Sequence, residues 1–466
     1  MPATPEAALR AVERRLVGPN GGHEASLAGR MEHYAIPGAA LALIADGELA
    51  AERAYGLKEA RRPDRVSTTT RFQACSISKP LAVLGMLRLA DRGLLDLDTD
   101  VNVLLRSWRV PPNASWQPRV TLRQIASHTA GLTGGGFPGY GRGAPLPTLT
   151  QILTGAFPAN TAGIRVDTVP GVEFRYAGGG TTVLQQVLED VTGRPFADLL
   201  HELVLEPLGM TRSGYTQPLP EDLHDEAAIA HGSDGAPVEG GWHVYPELAA
   251  AGLWTVPGDL ARYAIAVQRA AAGAPGAVLG PELTTSMLAP HAPASSRLGG
   301  LDSLGLGLFL GGRDAVWFGH SGGNEGFRCH LLAHREAGCG LVVMTNGARG
   351  HLLVAEILDG VARELEWPDY EGAGLEGDAH APRGIDALVG VYELRPDTRI
   401  VVEQDGDDLL VTVAAQAPIR FLRVSESEFG SFAVETTLAF GEAGAGGAGE
   451  LVLRQNGGAL TCRRVV

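Results

Sequence analysis

A chain of 466 residues, 45% hydrophobic and 20% charged, can bury a large core and is neither largely disordered nor a coiled coil. Its formal charge of −15, with no basic patch, excludes nucleic acid as a partner. No basic segment leads into an apolar run at the N-terminus, and the most apolar stretch, 35–45, is broken by Pro37-Gly38 and too short to span a bilayer. The expectation is a cytoplasmic protein with no membrane partner.

In chain order, residues 7–16 and 24–34 have the spacing of short amphipathic helices. The apolar runs 39–45 and 49–55 flank Asp46-Gly47, a hairpin signal. Residues 80–90 are apolar nearly all round and predict a helix buried on every side. The Gly/Pro-rich stretch 131–147 is long enough to be a lid rather than a connector. Segments 181–191, 197–204 and 257–271 read as helices. Segments 304–310, 315–318, 327–333 and 340–345 read as strands, followed by a helix over 351–365.

Composition changes at 368–383, which is acidic, Gly/Ala-rich and without periodicity, as a linker would be. Beyond it, short alternating runs at 389–393, 400–404, 409–413, 421–424, 433–440 and 450–454 predict a small all-β sandwich or barrel. The expected organisation is one domain over 1–367, the linker, and a β domain over 384–466.

Four cysteines (Cys75, Cys329, Cys339, Cys462) have no ligand or framework spacing, so neither zinc nor disulfides are expected. Of 38 basic residues only Lys58 and Lys79 are lysines. Arginine, with a pKa above about 12, cannot shuttle protons, whereas lysine can be tuned toward neutrality. Lys58 reads as a solvated loop residue. Lys79 closes Ser76-Ile77-Ser78-Lys79, directly ahead of the buried helix. If Ser76 opens that helix, the lysine lies one turn on and can face the hydroxyl, while the positive helix end favours an alkoxide. An N-cap serine followed by a surface lysine fits the same residues.

Further along, Tyr176 sits in Phe174-Arg175-Tyr176-Ala177-Gly178-Gly179-Gly180, a glycine-rich turn entering a helix. His320 sits in Phe318-Gly319-His320-Ser321-Gly322-Gly323-Asn324, where glycines leave a strand backbone open to a ligand. Each alone is as well explained by a core aromatic or a structural histidine.

Together, the order and spacing resemble the serine hydrolases of the class C β-lactamase and penicillin-binding-protein superfamily. There S-x-x-K, Tyr-x-Asn and Lys-Thr-Gly or His-x-Gly line one cleft. The segments 121–132 (with Ser127-His128-Thr129), 207–210 and 251–261 look like other stretches of this family. The resemblance covers residues 24–366, and the tail resembles the lipocalin-like domain of some members. It implies an α+β, β-lactamase-like fold: an antiparallel sheet flanked by helices, an all-helical part, and a C-terminal β-barrel.

The resemblance also implies Ser76 as the acylated nucleophile, with Lys79 and Tyr176 sharing the general-base role. The N–H groups of Ser76 and Gly323, beside Gly322, would form the oxyanion hole. Cys75 is expected to be packed rather than reactive, and no metal or organic cofactor is implied. Two departures stand out. Gly178 replaces the asparagine of Tyr-x-Asn, and His320 replaces a lysine that attracts a substrate carboxylate. A neutral imidazole holds a carboxylate less strongly than an ammonium. An imidazole with an ordinary pKa of about 6.5 should tighten anion binding at acid pH; otherwise His320 reads as a hydrogen-bond partner of Tyr176.

The implied activity is acyl-enzyme hydrolysis of small esters, amides or peptides, D-amino-acid-containing ones among them. Alternatives use the same acyl-enzyme for acyl transfer, transpeptidation or peptide cyclisation. A weak β-lactamase, a penicillin-binding sensor or an inactive scaffold stand behind these.

Overall fold

The computed structural model describes residues 3–17, 24–298, 300–370 and 372, and, further on, 385–395, 398–405, 408–413, 418–423, 427–431, 436–441, 443–444, 447–455 and 458–465. The chain forms two compact units, residues 1–17 with 23–374, and residues 18–22 with 375–466.

The first unit begins with helix α1 (Pro5–Arg14), where the Thr4 hydroxyl accepts the Ala7 N–H and proline takes the first helical position. Helix α2 (Leu27–His33) is shorter than the spacing predicts. Ser26 caps it, accepting the Gly29 N–H, and residues 24–25 pair instead with Leu16–Val17. The expected hairpin is present as β1 (Gly38–Ala45) and β2 (Glu48–Gly56). Asp46 and Gly47 both have positive φ (53° and 71°), as a tight hairpin turn requires.

Helix α3 (Ser78–Asp91) is buried on nearly all sides. Helix α4 (Gly178–Thr192) starts before the expected 181, because Gly178 and Gly179 donate their N–H groups to Gly135 and Gly134 carbonyls. The expected helix at 197–204 is Phe196–Leu200 continued by a π turn, His201–Leu205. The one-turn α5 (Leu248–Ala251) precedes α6 (Pro257–Ala271).

Strands β3 (Ala292–Leu298), β4 (Leu301–Leu304), β5 (Phe309–Gly311), β6 (Trp317–Asn324), β7 (Phe327–His334) and β8 (Gly340–Thr345) precede helix α7 (Gly350–Glu364). The run 304–310 is a turn between two strands rather than one strand. Gly307 takes φ +76°, and a Cβ there would lie 2.7 Å from the Val83 Cβ of α3. Strand β3, Pro- and Ser-containing, had no alternating pattern to announce it.

The eight strands form one antiparallel sheet in the order β2-β1-β8-β7-β6-β5-β4-β3. Leu331 and Val342 face the core shared with α3 and α6; Leu332 and Val343 face α1, α2 and α7. Both sheet faces are therefore covered, which is why β1 and β8 read as continuous apolar runs. Pro368 and Tyr370, which composition places in the linker, belong to this unit: the Trp317 indole donates to the Pro368 carbonyl (3.1 Å) and Tyr370 to Asp359 (2.7 Å). Most of the expected linker, 371 and 373–383, lies outside the described residues.

The second unit is a closed barrel of eight strands: β9 (Gly390–Arg395), β10 (Thr398–Asp405), β11 (Asp408–Val413), β12 (Ile419–Arg423), β13 (Glu428–Ser431), β14 (Thr436–Phe440), β15 (Glu450–Gln455) and β16 (Gly458–Arg464). Tyr392, Phe421, Phe429 and Phe440 fill its interior. Strand β16 was not foreseen, since only Cys462 of it is buried. It closes the barrel by pairing with β9 through Tyr392–Arg464 and Glu393–Arg463. Among the described residues no helix is long and apolar enough to cross a membrane.

In the first unit a buried ion pair fastens α2 to α7. Arg30 Nε donates to Glu356 Oε2 (2.7 Å), the Tyr34 hydroxyl donates to Oε1 (2.5 Å), and Arg30 Nη2 donates to Oε1 and to the Tyr34 hydroxyl oxygen. Removing one member of such a pair strands a buried charge, at about 3–5 kcal/mol. Glu356→Ala should lose stability on that scale in urea unfolding; a loss below about 1 kcal/mol would show that the pair does not fasten these helices.

Candidate active site

Strand β6 organises the site. Strand β7 pairs along all of it, but β5 pairs only with Trp317–Gly319. From His320 to Asn324, β6 therefore has a strand partner on one side only. At Gly322 a Cβ would lie 2.5 Å from the Ala74 carbonyl oxygen and 2.9 Å from the Cys75 Cβ. This close approach presses the strand onto the turn that carries Ser76. Asn324 ties the strand end down, donating to Gln73 Oε1 (2.7 Å) and the Ala251 carbonyl (3.2 Å).

Ser76 lies in a 3-10 turn, Cys75–Ile77, just ahead of α3. Cys75 is fully buried with φ +53°, a left-handed conformation that places backbone strain one residue before Ser76. Ser76 does not cap the helix. Its half-buried hydroxyl instead accepts a hydrogen bond from Lys79 Nζ at 2.8 Å, and Lys79 also donates to the Ala250 carbonyl of α5 at 2.9 Å. Ser78 is structural: wholly buried, it donates to the Cys75 carbonyl (2.6 Å) and accepts the Leu253 N–H (3.1 Å). Lys58 lies apart, donating to the Asp225 carbonyl at 2.7 Å.

Tyr176 reaches the same place from the start of α4. Lys79 Nζ lies 5.0 Å from its ring centroid. His128, from the 121–132 segment, stacks on Tyr176 with centroids 4.4 Å apart. Its Nδ1 accepts the Ala177 N–H (3.2 Å), and its carbonyl accepts the Arg175 N–H (2.7 Å). The backbone is thus held on both sides of Tyr176. Burial, followed by the Lys79 charge, keeps the His128 imidazole neutral, well below its ordinary pKa. Sequence reasoning placed His128 in a family-like segment without a role, because the stacking partner is 48 residues away.

His320 also belongs to the cluster, its ring 6.2 Å from Tyr176 and 5.3 Å from Phe309. It is 2% exposed, and Nδ1 donates to the Ser321 carbonyl at 2.5 Å. Nε2 is therefore the bare nitrogen, buried and without a hydrogen-bond partner. Burial above all, then the Lys79 charge, pushes its pKa down to about 3. The expectation of an imidazole that charges near its ordinary pKa is thus corrected: desolvation keeps His320 neutral.

Sequence gave no sign of Glu247, which lies wholly buried at the residue before α5, with neither carboxylate oxygen hydrogen-bonded. Burial pushes its pKa up to about 8, so it is neutral below that pH. Its carbonyl accepts the Ala250 and Ala251 N–H groups (3.0 and 2.9 Å), shaping the turn that offers Ala250 to Lys79. Among the described residues no group of three His, Cys, Asp or Glu side chains could hold a metal ion. A cleft of about 290 Å³ lined by Arg71, His201, Tyr215 and Trp254 contains none of these groups, so it is separate from the cluster.

The family profile for Beta-lactamase matches residues 24–362. Penicillin-binding protein 4 of Amycolatopsis lactamdurans is 31% identical over 225 residues, 47% of this chain and 55% of that protein. Esterase EstB of Burkholderia gladioli is 33% identical over 197 residues, 39% of this chain and 48% of that protein. The chain thus spans about half the length of these curated relatives. The octameric penicillin-binding protein homologue of Pyrococcus abyssi superposes with a TM-score of 0.61 at 19% identity, over 94% of this chain and 98% of that one, and so shares the fold. With Ser76 and Lys79 in contact, and with a profile match over most of the first unit, the chain belongs to the β-lactamase family.

Proposed function

We propose that this chain is a serine hydrolase that forms an acyl-enzyme on esters, small amides or peptides, D-amino-acid-containing ones among them. The observation that carries this reading is the 2.8 Å contact from Lys79 Nζ to Ser76 Oγ. Ser76 Oγ attacks the substrate carbonyl as its proton passes to the Lys79/Tyr176 pair. Oxygen charge developing at that carbonyl is met by the N–H groups of Ser76 and Gly323, the second on the open part of β6. Lys79/Tyr176 then returns the proton to the leaving group, and water resolves the acyl-enzyme by the reverse sequence.

Gly322 has a packing role, since only a residue without Cβ lets β6 approach Cys75 this closely. His320, neutral and buried, offers no fixed positive charge to a substrate carboxylate. That leans the site toward neutral esters and amides and away from β-lactams and D-Ala-D-Ala peptides. The free, buried Cys75, Cys329, Cys339 and Cys462 fit a reducing, cytoplasmic setting.

Ser76→Ala should abolish covalent labelling by a fluorophosphonate and turnover of p-nitrophenyl esters, with an unchanged thermal melt. Labelling that persists at another serine would refute the assignment. An added amine that diverts acyl product from acid to amide would identify acyl transfer as the reaction.

Because the pKa of His320 is pushed down to about 3, its imidazole stays uncharged from pH 5 to 8. The ratio of kcat/KM for a carboxylate-bearing ester over a neutral one should therefore be flat across that range. His320→Lys should raise the ratio for a cephalosporin over a neutral ester. A native ratio that climbs several-fold toward pH 5 would show instead that His320 charges near its ordinary pKa of about 6.5.

A further inference from the structure

Gly178 stands at the position that the family resemblance assigns to an asparagine, and the 131–147 segment fills the space beside it. The Gly178 N–H donates to the Gly135 carbonyl (3.1 Å) and the Gly179 N–H to the Gly134 carbonyl (2.8 Å). A Cβ on Gly178 would lie 3.0 Å from Phe137 Cε2 and 3.1 Å from the Gly135 oxygen. No longer side chain fits there unless this loop moves. The first two N–H groups of α4 are thereby taken by the loop's carbonyls, and the nearest side chain is an aromatic ring.

The loop is fastened on its other side. Tyr140–Gly141 pairs with His243–Val244, and the Pro138 carbonyl accepts hydrogen bonds from His243 Nδ1 (2.9 Å) and the Tyr245 hydroxyl (3.4 Å). Gly139 is pressed to the Tyr245 ring, where a Cβ would lie 2.6 Å from Cζ. Phe137 is thus held between the start of α4 and an anchored Pro138-Gly139, yet it remains partly exposed. A half-open aromatic ring, fixed against a residue two positions past Tyr176, is a wall rather than core filling.

We propose that Phe137 is a specificity-determining residue: beside Gly178, two positions past Tyr176, it gives the site an apolar wall where a side-chain amide would otherwise stand. The inference rests on the serine-hydrolase reading and narrows it. The substrates are esters or amides of aryl or branched-alkyl acids, recognised by burial against the ring, rather than acylamino acids recognised by hydrogen bonding.

The test compares kcat/KM for p-nitrophenyl phenylacetate and for the p-nitrophenyl ester of N-acetylglycine in the full-length native protein, Phe137→Ala and Phe137→Leu. Fluorophosphonate labelling of Ser76 is measured on the same samples. The native ratio should favour phenylacetate at least about tenfold, the scale on which apolar pockets discriminate. Phe137→Ala should lower it at least about fivefold, while Phe137→Leu, apolar and of similar bulk, keeps most of it. A native preference for the acetylglycyl ester, or a ratio unmoved in a Phe137→Ala protein that still labels at Ser76, overturns the role of Phe137 and leaves the hydrolase reading intact. Native protein that neither labels at Ser76 nor turns over either ester overturns both.

Discussion

The site depends on one hydrogen bond between two side chains three residues apart, Lys79 Nζ to Ser76 Oγ. A serine hydroxyl is a poor nucleophile at neutral pH unless a base stands against it, and a lysine is a base only when its environment denies it a permanent proton. The surroundings hold the pair in place. Ser76 lies at the positive end of a 14-residue helix, and Lys79 is 4% exposed. Lys79 Nζ also donates to the neutral Ala250 carbonyl. The acid nearest in sequence to that carbonyl, Glu247, is buried and held neutral below about pH 8.

The fold keeps this contact in register through close approaches rather than through charges. Gly322 lets β6 touch the Ser76 turn, and Gly307 lets the β4–β5 turn sit on Val83 of the helix behind it. A continuous set of rings, His128, Tyr176, Phe309 and His320, then fixes the tyrosine between α4 and the sheet. Both histidines of that set are neutral for the same reason, burial assisted by the Lys79 charge. The result is a site with one lysine and no second fixed cation among these rings. That arrangement accounts for a proposed preference for uncharged acyl groups more directly than any single replacement does.

Much of this was legible because local rules and tertiary structure agree. Asp46-Gly47 between apolar runs can hardly be anything but a hairpin, and a helix apolar nearly all round, such as 80–90, has to be buried. The cluster Ser76, Lys79, Tyr176 and His320 was recoverable only as a set, through spacing that resembles a family; each residue alone fits a bland structural role. What failed was what depends on partners distant in sequence. Ser76 fits an N-cap as well as a nucleophile, because serine is favoured there, and the Lys79 contact and the 3-10 turn decide for the second reading. His320 looked titratable because its pKa is set by desolvation, which a sequence does not display. Strand β16 buries only Cys462 and so lacked the alternation that marks a strand. Gly178 read as a missing amide, while the ring that stands beside it comes from a loop some forty positions earlier.

The most direct test is the rate at which Ser76 becomes acylated when the base is made unable to accept a proton. Pre-steady-state release of p-nitrophenol, with intact-mass detection of the acyl-enzyme, would be measured for native protein, Lys79→Ala and Lys79→Arg. Arginine preserves the charge but not the exchangeable proton, so both variants should lose acylation by about a hundredfold or more. An arginine variant that acylates within about tenfold of native would contradict the account, because charge alone would then suffice.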